Sequence, residues 1–380
     1  IEQITRGPDY HHFYGYIGHV GNTPWNRSGR YMVALRSNFD DHMPEPHEAA
    51  DIVLLEIESG YTVEVIDRTL AWNPQQGTML YWNPEHPETQ LFFNDRDPES
   101  QKVFTVLYDV EQRKRLKEYR YEDTPVGNGG VAQGGGWFLA INYGRLSRLR
   151  AVTGYNKAYD WTKGVLHPEN DGIFRINVAS GEKKLIVSFA QLAQALHPTH
   201  PGVEDTALFI NHTLWNRDGD RIYFFARGNF GTRAKRINAP FTVNPDGSDL
   251  RFHELHIGGH PEWGMGHQML GEVEGRQVIY DTDQKKVVGT IGTEEIIPDP
   301  EGDIALSRDG RWLVNGWGDE ENNQYVLYRL ADGAYVKTPP YSRQGQAHGD
   351  LRQDQAPCWS PDGSKVYFPA FADDGTRQMF

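Results

Sequence analysis

The chain has 380 residues, enough for a large core and, by length alone, for two or three domains, although single all-β domains run as long. Its 38 Lys+Arg against 52 Asp+Glu leave a formal charge of −14, which argues against non-specific nucleic-acid binding but not against a local basic site. A single cysteine, Cys358, excludes an internal disulfide and a multi-cysteine zinc centre, and no apolar run approaches the ~20 residues of a membrane-spanning helix.

Aromatic residues make up 12% of the chain, and 40 Gly and 22 Pro are scattered along it, the composition of many strands joined by tight turns. The absence of Met at position 1 points to removal of an N-terminal segment such as a signal peptide. Taken in chain order, the elements repeat. WNRSGRYMVAL (25–35) is an apolar anchor, a polar turn with Gly, then an alternating strand. A strand pair follows at 51–67. A weaker first half at 80–97 precedes a pair at 104–121, and another at 136–145 precedes a pair at 172–189. WNRDGDRIYFF (215–225) returns to the first pattern, followed by a pair at 241–255 and a first half at 267–280. LSRDGRWLVNG (306–316), the pair at 325–339 and WSPDGSKVYFP (359–369) complete the series.

About seven units of four strands, spaced as propeller blades are, predict one all-β domain over residues 1–380, a seven-bladed β-propeller. The last unit stops one strand short, so residues 1–6 are expected to complete it and close the ring. Residues 189–196, FAQLAQAL, read as a short helix within the insertions.

In a propeller the residues before each innermost strand open onto one face. Gln75, Gln76, Asn211, His212, His260, His267, Arg352, Gln353, Asp354 and Gln355 form such a set, rich in amides and histidines. Polar walls also suit a water-filled channel, and a histidine is more often packing than ligand. His212 and His267 with Gln353 are candidates for a divalent cation, a pattern whose spacing sets no coordination geometry.

NYGRLSRLR (142–150) sets three arginines behind Tyr143. Read as continuing extended, it places Arg148 and Arg150 on one face and Arg145 on the other. Arginine grips a planar carboxylate with two parallel bonds, so the cluster is a candidate anion site, with Tyr155 placed to stack on a sugar; the plainer reading is a basic edge paired with acids. Suitable acid–base groups are His212, His267 and Tyr143, with Arg148 beside the developing charge. Gln76, Asn211, Arg145, Arg150, Tyr155 and Arg352 are the substrate-binding set. No Gly-rich loop precedes a helix and no Gly-x-Ser-x-Gly elbow is present.

Over nearly its whole length the chain resembles the seven-bladed β-propeller polysaccharide lyases, the group containing oligogalacturonate lyase. The resemblance rests on FYGYIGHVGNTPWNRSGRYMVAL (13–35), AWNPQQGTMLYW (71–82), FFNDRD (92–97), NYGRLSRLRAVTGY (142–155), INHTLWNRDGDRIYFF (210–225) and LRQDQAPCWSPDGSKVYF (351–368). It implies β-elimination at a 4-linked uronic acid of an anionic oligosaccharide or polysaccharide. It also implies a divalent cation, manganese, with His267 and Gln353 matching ligand positions. The chain departs from that pattern at Ala356, where the family often has histidine. Two rival readings stand beside it: a non-catalytic propeller binding glycan or protein, and a glycoside hydrolase using Asp303 and Asp354 as paired carboxylates.

Overall fold

The structure, a computed structural model, describes residues 1–15 and 19–380. Its strands form antiparallel meanders in chain order. Blade one comprises His11–Phe13, Tyr31–Ser37, Ala50–Glu56 and Thr62–Thr69. Blades two to six open on Tyr81–Trp82, Gly127–Val131, Phe209–Trp215, Gly258–Trp263 and Asp303–Leu306. Blade seven is built from Cys358–Trp359, the run Val366–Tyr367 and Pro369–Phe371, and Arg377–Met379. Phe368 and Phe380 exchange both backbone hydrogen bonds, at 3.1 and 3.0 Å, and so join its two halves.

The opening strands of successive blades pack on one another. Phe209–Trp215 meets Gly127–Val131 and Gly258–Trp263, and Asp303–Leu306 meets Gly258–Trp263 and Cys358–Trp359. They therefore line the centre, and Phe209–Trp215 is buried throughout, whereas the fourth strand Thr62–Thr69 is largely open to solvent. This is an all-β propeller of seven blades. Beside its last strand, the Ile4 amide donates to the Met379 carbonyl at 2.8 Å, and the Thr5 hydroxyl accepts the Met379 N–H at 3.0 Å.

The repeated motif has one local cause. Asn26, Asn216, Ser307 and Ser360 each use a side-chain oxygen to accept the backbone N–H five residues on, at 2.9–3.0 Å. Three residues after each stands a glycine with φ between +72° and +75°, a conformation that costs glycine nothing. The tryptophan before or near this turn ties one blade to the previous one. Trp82 Nε1 donates to the Pro24 carbonyl, Trp215 to Gly130, Trp263 to Leu214 and Trp359 to Ala305, at 2.8–3.2 Å.

The helices are short, and among the described residues none is long and apolar enough to cross a membrane. Phe189–Leu196 is one, held at its start by a reciprocal Ser188–Gln191 capping box. The second corrects the sequence reading. Residues 143–149 are not extended but form the helix Tyr143–Leu149, because the Asn142 side chain accepts the Arg145 N–H at 2.9 Å and caps it. Gly144 lets the Tyr159 backbone lie against this helix; a Cβ there would stand 2.1 Å from the Tyr159 carbonyl oxygen.

Two outcomes test the fold. Trp263 is fully buried, so Trp263→Phe loses both its hydrogen bond and packing volume, and should lower stability by about 1–3 kcal/mol in a denaturant melt. Deleting residues 1–6 removes both bonds to Met379 and should lower Tm by several degrees; equal melting of truncated and full-length chains would show that the segment closes nothing.

Candidate functional site

At one mouth of the channel, residues from five regions of the chain converge. Gln75 and Gln76 come from before the second blade's first strand, and Arg150 and Thr153 from the segment after the Tyr143–Leu149 helix. Asn211, His212 and Arg227 come from blade four, His260 from blade five, and Arg352 and Asp354 from before blade seven. They enclose a cavity of about 30 Å³.

The backbone is bent to aim these groups. Pairing between the first two strands of blade four shifts register between Asn211 and Leu214, and His212 there has φ +59°. A bulge with a left-handed non-glycine residue turns a side chain out of the regular alternation, a device common beside functional sites. The His212 ring lies 5.4 Å from that of His260 and edge-on to Phe225. Burial, then the nearby Arg227, holds its pKa well below the ordinary imidazole value, so it is neutral. Gln76 Nε2 donates to Asn211 Oδ1 at 3.4 Å.

His260 has a different role. Its Nδ1 is hydrogen-bonded to Asp303 Oδ1, and Asp303 Oδ2 accepts the Ala356 N–H at 2.7 Å. The carboxylate thus fixes the imidazole's orientation and leaves Nε2 without a hydrogen-bond partner among the described residues, the arrangement of an oriented general base. His260 is part-exposed while Asp303 is buried.

Three guanidinium groups surround the pair. Arg227 donates from Nε to Asn238 Oδ1 at 2.7 Å and lies over Phe225. Arg352 donates from Nε to Asp354 Oδ1 at 3.0 Å and, with the Gln75 amide oxygen turned toward it, from Nη1 to Gln75 at 2.8 Å. Arg150 lies over the Phe230 ring at 4.6 Å, and its buried Nε has no partner among the described residues. Burial, then Arg352 and Arg236, pushes Arg150 down to about 10. The carboxyl of Asp354 is raised by burial. Positive charge is therefore in excess in a chain that is acidic as a whole.

Gln76, Asn211, His212, Arg150 and Arg352 stand here as the sequence led one to expect. The other assignments are corrected. Arg145 is fully buried and donates to the Leu208, Val165 and Leu166 carbonyls and to Thr162, so it braces a loop. Arg148 lies outside the cavity and pairs with Asp160 at 2.8 Å. Tyr143 is buried, donates to the Asn128 carbonyl at 2.8 Å and stacks on Tyr155 at 4.4 Å. Tyr155 is equally buried, its hydroxyl pushed well above the usual phenol value by desolvation, and has no face for a sugar.

His267 stands in the turn after the first strand of blade five, not ahead of that strand, with its ring nitrogens on Asp283 and Asp220 at 2.7 and 3.0 Å. It does not meet His212. The Gln353 amide is buried with neither atom hydrogen-bonded among the described residues. No group of three His, Cys, Asp or Glu among the described residues is arranged to hold a metal, and His212 faces arginines, which repel a cation. The proposed ligand set His267, Gln353 and His212 thus does not fit a divalent cation. Asp303 and Asp354 are likewise already engaged, with His260 and Arg352.

Sequence reasoning placed His260 and Asp303 near the mouth without pairing them, and passed over Arg227. The signal for Arg227 was present: an arginine in an otherwise apolar strand, Ile222–Gly228, is rarely buried without a task.

Fold and site define a β-propeller with a basic, histidine-bearing channel mouth. No family model matches the chain, and no curated protein matches it. Among solved structures, the β-propeller domain of Cps50 (Swd1) from Myceliophteria thermophila is similar with a TM-score of 0.51 at 11% identity, covering 97% of this chain and 99% of that one. A chain of the mitotic checkpoint complex gives 0.48 at 12% identity, covering 96% and 89%. TolB from Acinetobacter baumannii gives 0.42 at 11% identity, covering 93% and 80%. The first similarity bears on the fold alone.

Arg145 and Arg150 should separate in a melt. Arg145→Met strands several buried acceptors and should lower stability by about 3 kcal/mol or more. Arg150→Met relieves repulsion between guanidinium groups and should melt at or above the wild-type temperature.

Proposed function

We propose that the channel mouth recognises the carboxylate of an acidic saccharide and that His260 converts recognition into β-elimination at a 4-linked uronic acid. The observation that carries this reading is the oriented His260–Asp303 pair beside Arg150, Arg227 and Arg352 in one cavity. A proton alpha to a carboxylate is hard to remove while the carboxylate keeps its charge. Guanidinium groups that hold it stabilise the developing dianion, and groups of this kind are each worth about 10²–10³ in rate.

In this reading His260 Nε2 removes the C5 proton, the C4–O bond breaks, and a C4–C5 double bond forms. Asp303 stabilises the resulting imidazolium, which returns the proton to the leaving oxygen. His212, neutral and buried, orients the substrate rather than acting as acid.

A second reading, a propeller that binds a carboxylate without turning it over, is favoured by the cavity's size. About 30 Å³ is small beside the roughly 300–1,000 Å³ of small-ligand pockets, and suits a carboxylate better than a whole sugar ring.

One experiment separates the two. The protein is incubated with oligogalacturonides and other oligouronides while the ultraviolet absorbance of a conjugated unsaturated uronate is followed and binding is measured by calorimetry. Turnover that is lost in His260→Asn with binding retained, and reduced about 10²-fold in Arg150→Met, supports elimination. Binding without absorbance leaves recognition alone, and absence of binding ends both readings.

A further inference from the structure

The opposite end of the channel holds a second and larger cavity, of about 420 Å³. The turns that follow the first strand in all seven blades contribute to its rim, from Trp25 and Arg27 in blade one to Trp359 in blade seven. Its volume lies in the range of small-ligand sites.

Its walls carry two kinds of group. Trp25, Trp82 and Trp359 line it, and the indole N–H groups of Trp82 and Trp359 are already committed to the Pro24 and Ala305 carbonyls. Neither ring therefore offers a ligand a donor; Trp359, half-buried, presents apolar ring surface, while Trp82 is buried beside it in the wall. The rim carries Arg27, Arg217 and Arg308. Arg217 is neutralised by Glu262 at 3.2 Å. Arg27 and Arg308 are exposed, and neither has an ion pair among the described residues. Partial burial, then repulsion from Arg27 and Arg217, lowers the pKa of Arg308. Asp218 is the remaining acid on the rim, so the cavity is net positive in a chain of charge −14.

We propose that this cavity is a separate ligand site that takes a small anion with a flat apolar face, a ring bearing a carboxylate. Tryptophan stacks on the C–H face of a sugar as well as on an aromatic ring, and an unpaired arginine binds a carboxylate through charge-assisted hydrogen bonds. A sugar acid and an aromatic acid present this same chemistry. The inference stands on the turn-end cavity and does not depend on the reading of the channel mouth.

The test follows tryptophan fluorescence while the full chain is titrated with trigalacturonate and, separately, with 2-naphthoate; galactotriose and 2-naphthol are the uncharged controls. At least one acid is expected to bind and its control to bind more weakly. Arg27→Ser/Arg308→Ser, a change at two exposed positions, should weaken that binding by about tenfold or more, the loss of a charge-assisted hydrogen bond. Arg150→Met, at the other mouth, whose lining holds no tryptophan, should leave this fluorescence response unchanged. Arg308→Glu serves as the second variant if the double one folds poorly, and should weaken binding further. No saturable response to either acid at concentrations on the order of 1 mM, equal binding of acid and neutral control, or binding lost in Arg150→Met but kept in the arginine variants would each overturn the proposal.

Discussion

The tryptophan N–H that reaches back to a carbonyl of the preceding blade is the contact on which the rest of the molecule depends. A propeller blade buries both faces against its neighbours, so the angle between blades decides whether a ring closes. Four of these bonds recur at matching places in the repeat, at 2.8–3.2 Å, and each couples the first strand of one blade to the blade before it. In blades one, four, six and seven an Asn or Ser turn after the first strand places the next one, its side-chain oxygen accepting a backbone N–H. Blade geometry is thereby set by short-range chemistry repeated around an axis.

A rigid ring permits a mouth that is unfavourable by itself. Three guanidinium groups crowd one small cavity, one with an unpartnered buried Nε, and a histidine sits at a positive φ on a bulge. Each feature lowers stability, and such features persist where the surroundings over-determine them. Here the surroundings are the strands of blades four and five, and the capped helix that delivers Arg150. The excess of charge is what makes the mouth receptive to an anion, and the Asp303 carboxylate behind His260 is what gives one imidazole a defined direction.

The two ends of the channel differ in kind because different parts of the blades form them. Chain segments that enter the central strands build one end, and these carry amides, histidines and inserted arginines. The turns that leave the same strands build the other, beside the structural tryptophans Trp82 and Trp359. Indoles whose donors are spent on blade contacts become an apolar lining, so one set of residues both holds the ring and shapes the larger cavity.

From sequence alone, the repeat of anchor, Gly turn and alternating strand was enough to determine an all-β propeller, since turn chemistry and side-chain alternation are local properties. The polar set near the mouth was legible for a related reason: in a repeat, equivalent positions share an end of the channel, and Gln76, Asn211, His212 and Arg352 occupy such positions. What the sequence could not decide was which of these face one another. The arginines of residues 142–150 looked alike in sequence, yet a single cap at Asn142 made a helix that buried Arg145, turned Arg148 onto Asp160 and sent Arg150 to the mouth. Arg227 and the His260–Asp303 pair come from strands separated by the ring's curvature, and His267 was lost to the opposite turn by the true start of its blade at Gly258. Such contacts depend on where blades meet in space, which only the closed tertiary structure sets.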